Sequence, residues 1–388
     1  MKFKNTPIVV VAYNRPRSLK RLLSSLEKGN YLSQEIPLII SIDKADSNED
    51  VLAIANEFSW EFGVKEVNYQ AENLGLRAHI LQCGALSQKY GAVIVLEDDL
   101  YVAPNFYEFA IQALEFSEDK VYLGGISLYN HQYNVNVEDN FSPVEDGFDN
   151  WYFQFASSWG QAWTEQQWSK FMEWYNNRPS INENEKIPAF IRSWSEKSWL
   201  KYNISYLILE NLYFLYPKIS LTTNFSDAGT HIGQDSTLFQ VPIDLSGLKT
   251  FQFSNLKESK AIYDAFYENT NLSEILGVES SELTIDLYGS KQNVKTKLWL
   301  SSKIVDFKII QSFAKSLKPM DVNILEGIVG KELFLYDTSI VEVNRHAIDK
   351  KRNILYTIKL ISYVDALYIV KSELIRKVRK LAKMFMGK

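Results

Sequence analysis

Over its first 126 residues the chain alternates short apolar runs with amphipathic stretches. Pro7–Tyr13 is a β-branched run of the kind found in strands buried on both faces. Asn14-Arg15-Pro16 breaks it. From Ser18 to Leu26, Leu19, Leu22, Leu23 and Leu26 then fall on one helical face. Strand-like runs recur at Pro37–Asp43, Val64–Tyr69, Ala92–Leu96 and Val121–Ile126, with helical patterns at Val51–Phe62, Leu76–Tyr90 and Asn105–Phe116 between them. This alternation predicts a mostly parallel, doubly wound α/β sheet flanked by helices. Ligands of such sheets bind beyond the carboxyl ends of the strands. Asn14, Arg15, Asp43, Asp98 and Asp99 all lie at or just past such ends, so they can converge on one crevice.

The pattern changes near Phe141. Aromatic residues cluster at Trp151, Tyr152, Phe153, Phe155, Trp159, Trp163 and Trp168. They suit either an aromatic-rich core or a sugar-binding cleft, where a ring covers the C–H face of a pyranose. Glu165–Asn176 and Lys186–Asn211 read as helices, and Tyr216–Leu221 as a strand leading into the polar loop Asn224–His231. Residues 1–250 are expected to form the main domain. Residues 251–388 are expected to form a mostly helical extension, with helices at Lys257–Asn271 and Lys303–Leu317 and a strand within Glu332–Val343. Ile354–Met386 reads as a long helix whose end, from Lys371, is basic and amphipathic.

Charge and cysteine content narrow the picture. The net charge of -5 gives no case for nucleic-acid binding. Cys83 is the only cysteine, so no intrachain disulfide can form, which fits a reducing compartment. No apolar stretch reaches the ~20 residues of a spanning helix. A cytoplasmic protein is expected. Its basic C-terminal helix would either lie on an anionic membrane or pack on the protein with a solvated charged face.

Glu97-Asp98-Asp99, following the fourth strand, is the sharpest chemical signal. Carboxylates at a buried strand's end can hold a hard divalent cation, which in turn bridges to a diphosphate. The plain alternative is an acidic turn at a helix N-terminus. Asp43 could accept a hydrogen bond from a base or ribose, or act as a turn or cap residue. Arg15 and Arg77 could reach a nucleotide, phosphate or sugar, or be surface arginines. His231 could touch the diphosphate or metal, or be a structural loop residue. The chain has no Cys/His metal cluster, no Walker A loop and no G-x-G-x-x-G.

Taken in order, the segments from Pro7 to Leu26, Ile39 to Asp43 and Val93 to Phe106 resemble the GT-A glycosyltransferases of the family-2-like superfamily. The acidic segment is similar to that of N-acetylglucosaminyltransferase I type enzymes. Trp159-Gly160-Gln161-Ala162-Trp163, Lys197-Ser198-Trp199, Leu215-Tyr216-Pro217 and Asn224–His231 resemble bacterial polysaccharide sugar transferases. The likeness covers about residues 5–240. It implies inverting transfer from a nucleoside-diphosphate sugar to a glycan acceptor, which could be lipid-linked, in O-antigen or capsule assembly. It also implies Asp99 as the main ligand of Mn2+ or Mg2+, with Asp98 beside it, and Arg15 and Asp43 on the nucleotide.

Inversion requires a general base on the acceptor side. Some relatives carry Asp directly after the Ser-Trp pair, where this chain has Leu200. Glu196 is the first candidate and Asp227 the second; their plain readings are an exposed helix charge and an Asx-turn residue. A nucleotidyltransferase is the rival enzyme, although Asn14-Arg15-Pro16-Arg17 lacks the glycines of its phosphate loop. A catalytically inactive sugar-binding protein on the same fold is the rival from another class, and Leu200 is the feature in its favour.

Overall fold

The computed structural model describes residues 2–225, 227, 239–292, 294–344 and 361–386. Met1–Glu342 form one compact unit and Val343–Lys388 a second.

The first unit is built on a nine-stranded sheet. Its first half follows the alternation in the sequence: β1 (Ile8–Ala12), α1 (Pro16–Leu26), β2 (Leu38–Ile42), α2 (Glu49–Glu57), β3 (Lys65–Tyr69), α3 (Gly75–Ala85), α4 (Ser87–Tyr90) and β4 (Ala92–Glu97). After the acidic turn come β5 (Leu100–Val102), α5 (Phe106–Ser117), β6 (Leu123–Ser127) and two short strands, β7 (Tyr133–Asn134) and β8 (Asp139–Asn140). Then follow β9 (Asn150–Phe153), β10 (Gln161–Thr164), α6 (Glu165–Asn177), α7 (Ala189–Arg192), α8 (Trp199–Leu209), β11 (Tyr213–Pro217), β12 (Thr222–Asn224) and β13 (Ile262–Tyr263). The strand order is β13-β9-β11-β6-β10-β4-β1-β2-β3. β1, β2, β3 and β4 are mutually parallel, while β10 runs antiparallel between β4 and β6.

Local chemistry sets these boundaries. Pro16 opens α1, where its missing N–H costs nothing, and Leu19, Leu22, Leu23 and Leu26 are buried on one face as expected. Thr164 and Gln167 form a reciprocal capping box at the start of α6. Alternation along the strands divides the core. Ile8, Val10, Ile94, Leu96 and Ala162 face α1, α2 and α5. Val9, Val11, Val93, Val95 and Trp163 face α3, α6 and α8. Most of the aromatic cluster lies in this second layer. Trp151, Trp163, Trp168 and Trp199 are fully buried, so these rings build core rather than a cleft. Gly84 lets α3 approach α6, because a Cβ there would stand 2.2 Å from the Trp168 ring.

Several expected elements are revised. The helix over Lys186–Asn211 is two, α7 and α8, separated by a loop whose Ser198 caps α8 through Lys201 N–H at 3.3 Å. Lys257–Asn271 is mainly loop around β13. Lys303–Leu317 is not a helix: Phe307–Phe313 is a strand, with Phe307 and Ile309 inward and Lys308 and Ile310 outward at period two. It joins β14 (Leu283–Asp286), β15 (Leu298–Ser301) and β17 (Leu333–Val341), with itself as β16, in a four-stranded sheet. Within residues 251–342 the helices among the described residues are short, Leu272–Ile275 and Val322–Leu325; Tyr363–Met386 is helical, and the expected start of that helix at Ile354 lies outside the described residues.

Candidate active site

The parallel strands deliver Arg15, Asp98 and Asp99 to one place. Asp98 N–H bonds to Val11 O at 3.0 Å, which ties the acidic turn to the end of β1. Arg15 follows β1 by three residues and grips both carboxylates: it donates to Asp98, and its Nη1 lies 2.9 Å from Asp99 Oδ2. Asp98 is almost fully buried. Burial pushes its carboxyl up to about 6 against the opposing pull of Arg15. Burial also holds Glu97 well above the usual carboxylate range, reinforced by Asp99. For Arg15, burial works against the charge, yet the two aspartates raise its pKa beyond the ordinary arginine value.

Three oxygens of this turn are left over. Glu97 Oε1, Asp98 Oδ2 and Asp99 Oδ1 are buried, with no partner among the described residues. Such atoms are costly unless something satisfies them. Paired hard oxygens at the end of a strand suit a divalent cation. Among the described residues no group of three or more His, Cys, Asp and Glu could hold a metal. A cation here would therefore take its remaining ligands from phosphate and water, as Mg2+ commonly does.

A second strand pair frames the turn. β12 pairs antiparallel with β5, and Phe225 N–H bonds to Asp99 O at 3.0 Å. Thr222 Oγ1 donates to Trp159 O at 2.5 Å, joining the loop before β10 to the same strand pair. Two residues past Phe225, Asp227 accepts from Ser18 Oγ at 2.7 Å and from Arg21. Burial works against its charge, but Arg21 and Ser18 hold Asp227 below the usual carboxylate range. Arg21 also stacks over the Phe225 ring at 3.7 Å. Asp227 thus shares the crevice edge with Arg15 and Asp99.

The other candidates are placed differently. Asp43 is buried and accepts backbone N–H groups from Lys44 at 3.0 Å, Leu74 at 2.8 Å and Gly75 at 2.9 Å, so it anchors the start of α3. Arg77 donates to the Glu196 carbonyl, pinning the loop before α8 to α3. The Glu196 carboxylate is exposed and accepts from Lys201 Nζ at 2.6 Å and from Tyr202 Oη; those bonds lower its pKa. His231 lies outside the described residues. Leu200 packs against the second core layer.

Sequence reading passed over Ser18, Arg21 and Gln161. Ser18 and Arg21 are spaced i,i+3 and so share a face of α1, but their partner is some 200 residues away and no local pattern points to it. A surface hollow of about 540 Å3 lies at the opposite end of the sheet, where β6 begins and β10 ends; Glu118, Lys170 and Trp174 line it. A hollow of about 380 Å3 sits over β2 and β3, lined by Ser41, Asn68, Tyr69 and Gln70.

Residues 8–167 match the family described as Glycosyl transferase family 2. The matched segment holds Arg15, Asp98 and Asp99, so the likeness to that family covers the acidic turn and the residue that grips it. Similar solved structures include the mannosyltransferase PcManGT from Pyrobaculum calidifontis, in complex with GDP-Man and Mn2+. It is 10% identical, with a TM-score of 0.35, over 55% of this chain and 57% of that one. Residues 1–349 of S. aureus TarS are 13% identical, with a TM-score of 0.36, over 56% of this chain and 59% of that one. The chain thus spans less than two thirds of either structure.

Proposed function

We propose that this chain transfers a sugar from a nucleoside-diphosphate donor to a glycan hydroxyl, inverting the anomeric centre, with Mn2+ or Mg2+ as cofactor. One observation carries the reading. Asp98 and Asp99 each present a buried oxygen with no partner among the described residues at the tip of β4, in a turn that Arg15 faces. Asp99, with Asp98 beside it, would hold the cation, which when bound offsets charge on the departing diphosphate. Arg15 and Arg21 line the α1 side and would bind the diphosphate oxygens. Arg77 and His231 are further donor-binding candidates.

We assign the general base to Glu196. It stands on the α3 and α8 side, away from the arginines of α1, and its carboxylate is exposed. Its lowered pKa keeps it ionised at neutral pH. Asp227, which accepts from Ser18 and Arg21 at the α1 edge of the crevice, is the second candidate. Glu196→Gln should reduce transfer by about 10²-fold or more, with nucleotide-sugar affinity unchanged in calorimetry. Full transfer by the variant would move the base elsewhere. Leu200 favours an inactive sugar-binding protein instead; complete absence of transfer or donor hydrolysis in the wild-type chain with Mn2+ would establish that reading.

The acceptor we infer is a surface-polysaccharide intermediate on a lipid carrier, reached by peripheral contact of the C-terminal helix with an anionic membrane. No helix of the described residues is long and apolar enough to cross a membrane.

A further inference from the structure

Gln161 opens β10 and is fully buried, yet neither its Oε1 nor its Nε2 has a partner among the described residues. A glutamine amide in a sheet interior ordinarily finds hydrogen bonds, so two orphaned atoms on one side chain call for an occupant. The register places it. Gln161 lies opposite Val95, and strand alternation puts it on the Trp163 side of the sheet, the side to which Val95 and Glu97 also point. Glu97 is therefore its diagonal neighbour on that face, about 7–8 Å away and within reach of long side chains. The orphaned Oε1 of Glu97 lies on this same face. Asn203 belongs to α8, the helix that covers this layer, and is likewise buried with both amide atoms unpartnered. It lies one turn beyond Trp199, whose ring meets that of Trp163 at 6.1 Å.

The strand order says which part of a donor would come here. β1, β2 and β3 lie on one side of β4 and β10 on the other. The hollow over β2 and β3, with Asn68, Tyr69 and Gln70, offers room for a nucleoside on the first side. With the diphosphate at the tip of β4, the remaining end of the donor falls over β10. Resting on the proposed donor site, we propose that Gln161 is a specificity-determining residue that hydrogen-bonds hydroxyl groups of the transferred sugar, with Asn203 completing the polar floor.

The test is calorimetric, on the full chain with Mn2+. The probes are UDP and GDP alone, UDP-glucose, UDP-N-acetylglucosamine and GDP-mannose. They are titrated into wild type, Gln161→Leu and the shorter amide Gln161→Asn, with melting temperatures checking that each variant folds. A site built to bond hydroxyls loses far more than an apolar contact does when its partner is removed. The preferred nucleotide sugar should therefore bind Gln161→Leu at least tenfold more weakly than wild type, with an intermediate loss in Gln161→Asn. Affinity for the bare nucleoside diphosphate should stay within twofold. Equal loss for sugar and bare nucleotide, or unchanged affinities with a raised melting temperature, would overturn the proposal and mark Gln161 as the seat of an internal water. If Gln161→Leu does not fold, unchanged nucleotide-sugar affinity in Gln161→Asn overturns it as well. Failure of the wild type to bind any nucleotide sugar would instead bring down the proposed function itself, and this inference with it.

Discussion

His131 shows how an isolated residue tunes the whole fold's response to acid. Its ring is buried among Tyr129, Phe153, Phe155, Trp159, Tyr216 and Tyr267, and its Nε2 has no partner among the described residues. Burial pushes its pKa down to about 3. The unfolded chain, with histidine near 6.5, then binds the extra proton between those two values. The stability tied to the neutral ring is complete above pH 6.5 and drains away as pH falls towards 3. Between pH 7.5 and 5 this single group should cost on the order of 2 kcal/mol. His131→Phe should remove that part of the acid sensitivity, seen as a flatter denaturation midpoint against pH; an unchanged slope would contradict it. The acidic turn was legible at this scale, because Glu97-Asp98-Asp99 follow an apolar run directly. Gln161 was not, since one glutamine carries no mark of being buried without partners.

Elements were legible where their period was clean. From β1 to α5 each expected strand and helix has a counterpart, although the helix expected over Leu76–Tyr90 divides into α3 and α4, and the half-buried β3 has Val67 as its one aliphatic residue. Reading failed where aromatics replaced that contrast. β9 and β10 lie inside the Trp- and Phe-rich stretch, whose two-sided burial leaves no alternation to see. Phe307–Phe313, with two isoleucines and a lysine, fits either period until its partner β17 is known. Asp43 illustrates a role that only the assembled element reveals. Its three accepted N–H groups come from the next residue and from the start of α3. Asp43→Ala should destabilise the protein by about 1–2 kcal/mol, because it removes the shared acceptor of three part-buried backbone N–H groups; chemical denaturation with an unchanged midpoint would refute this.

The C-terminal helix, Tyr363–Met386, makes its own prediction as an element. Leu374, Ile375 and Val378 are exposed beside Lys371, Arg376 and Lys377. A helix placed that way favours an anionic lipid surface. Full-length protein should float with vesicles containing phosphatidylglycerol and not with neutral ones. The double variant Leu374→Glu, Val378→Glu should lose the association, and equal flotation of both proteins would exclude the membrane contact.

At the scale of the molecule, sheet topology explains why distant residues share one crevice. The ends of β1 and β4 are neighbours in the sheet, so Arg15 meets Asp98 and Asp99 across more than 80 residues of chain. The β5–β12 pair then brings Asp227 and Arg21 to the same edge. The sequence alone indicated the strand ends but not which side chains would pair, because ion-pair geometry depends on a strand order it does not state. The whole reading turns on the acidic turn as a cation-dependent donor site. Its most direct test is calorimetric titration of a nucleotide-sugar panel into wild type and Asp99→Asn, with Mn2+ or with EDTA. Wild type should bind one donor with Mn2+ and lose it in EDTA, and Asp99→Asn should bind it about 10²-fold more weakly. Donor binding that is indifferent both to EDTA and to Asp99→Asn would contradict the account.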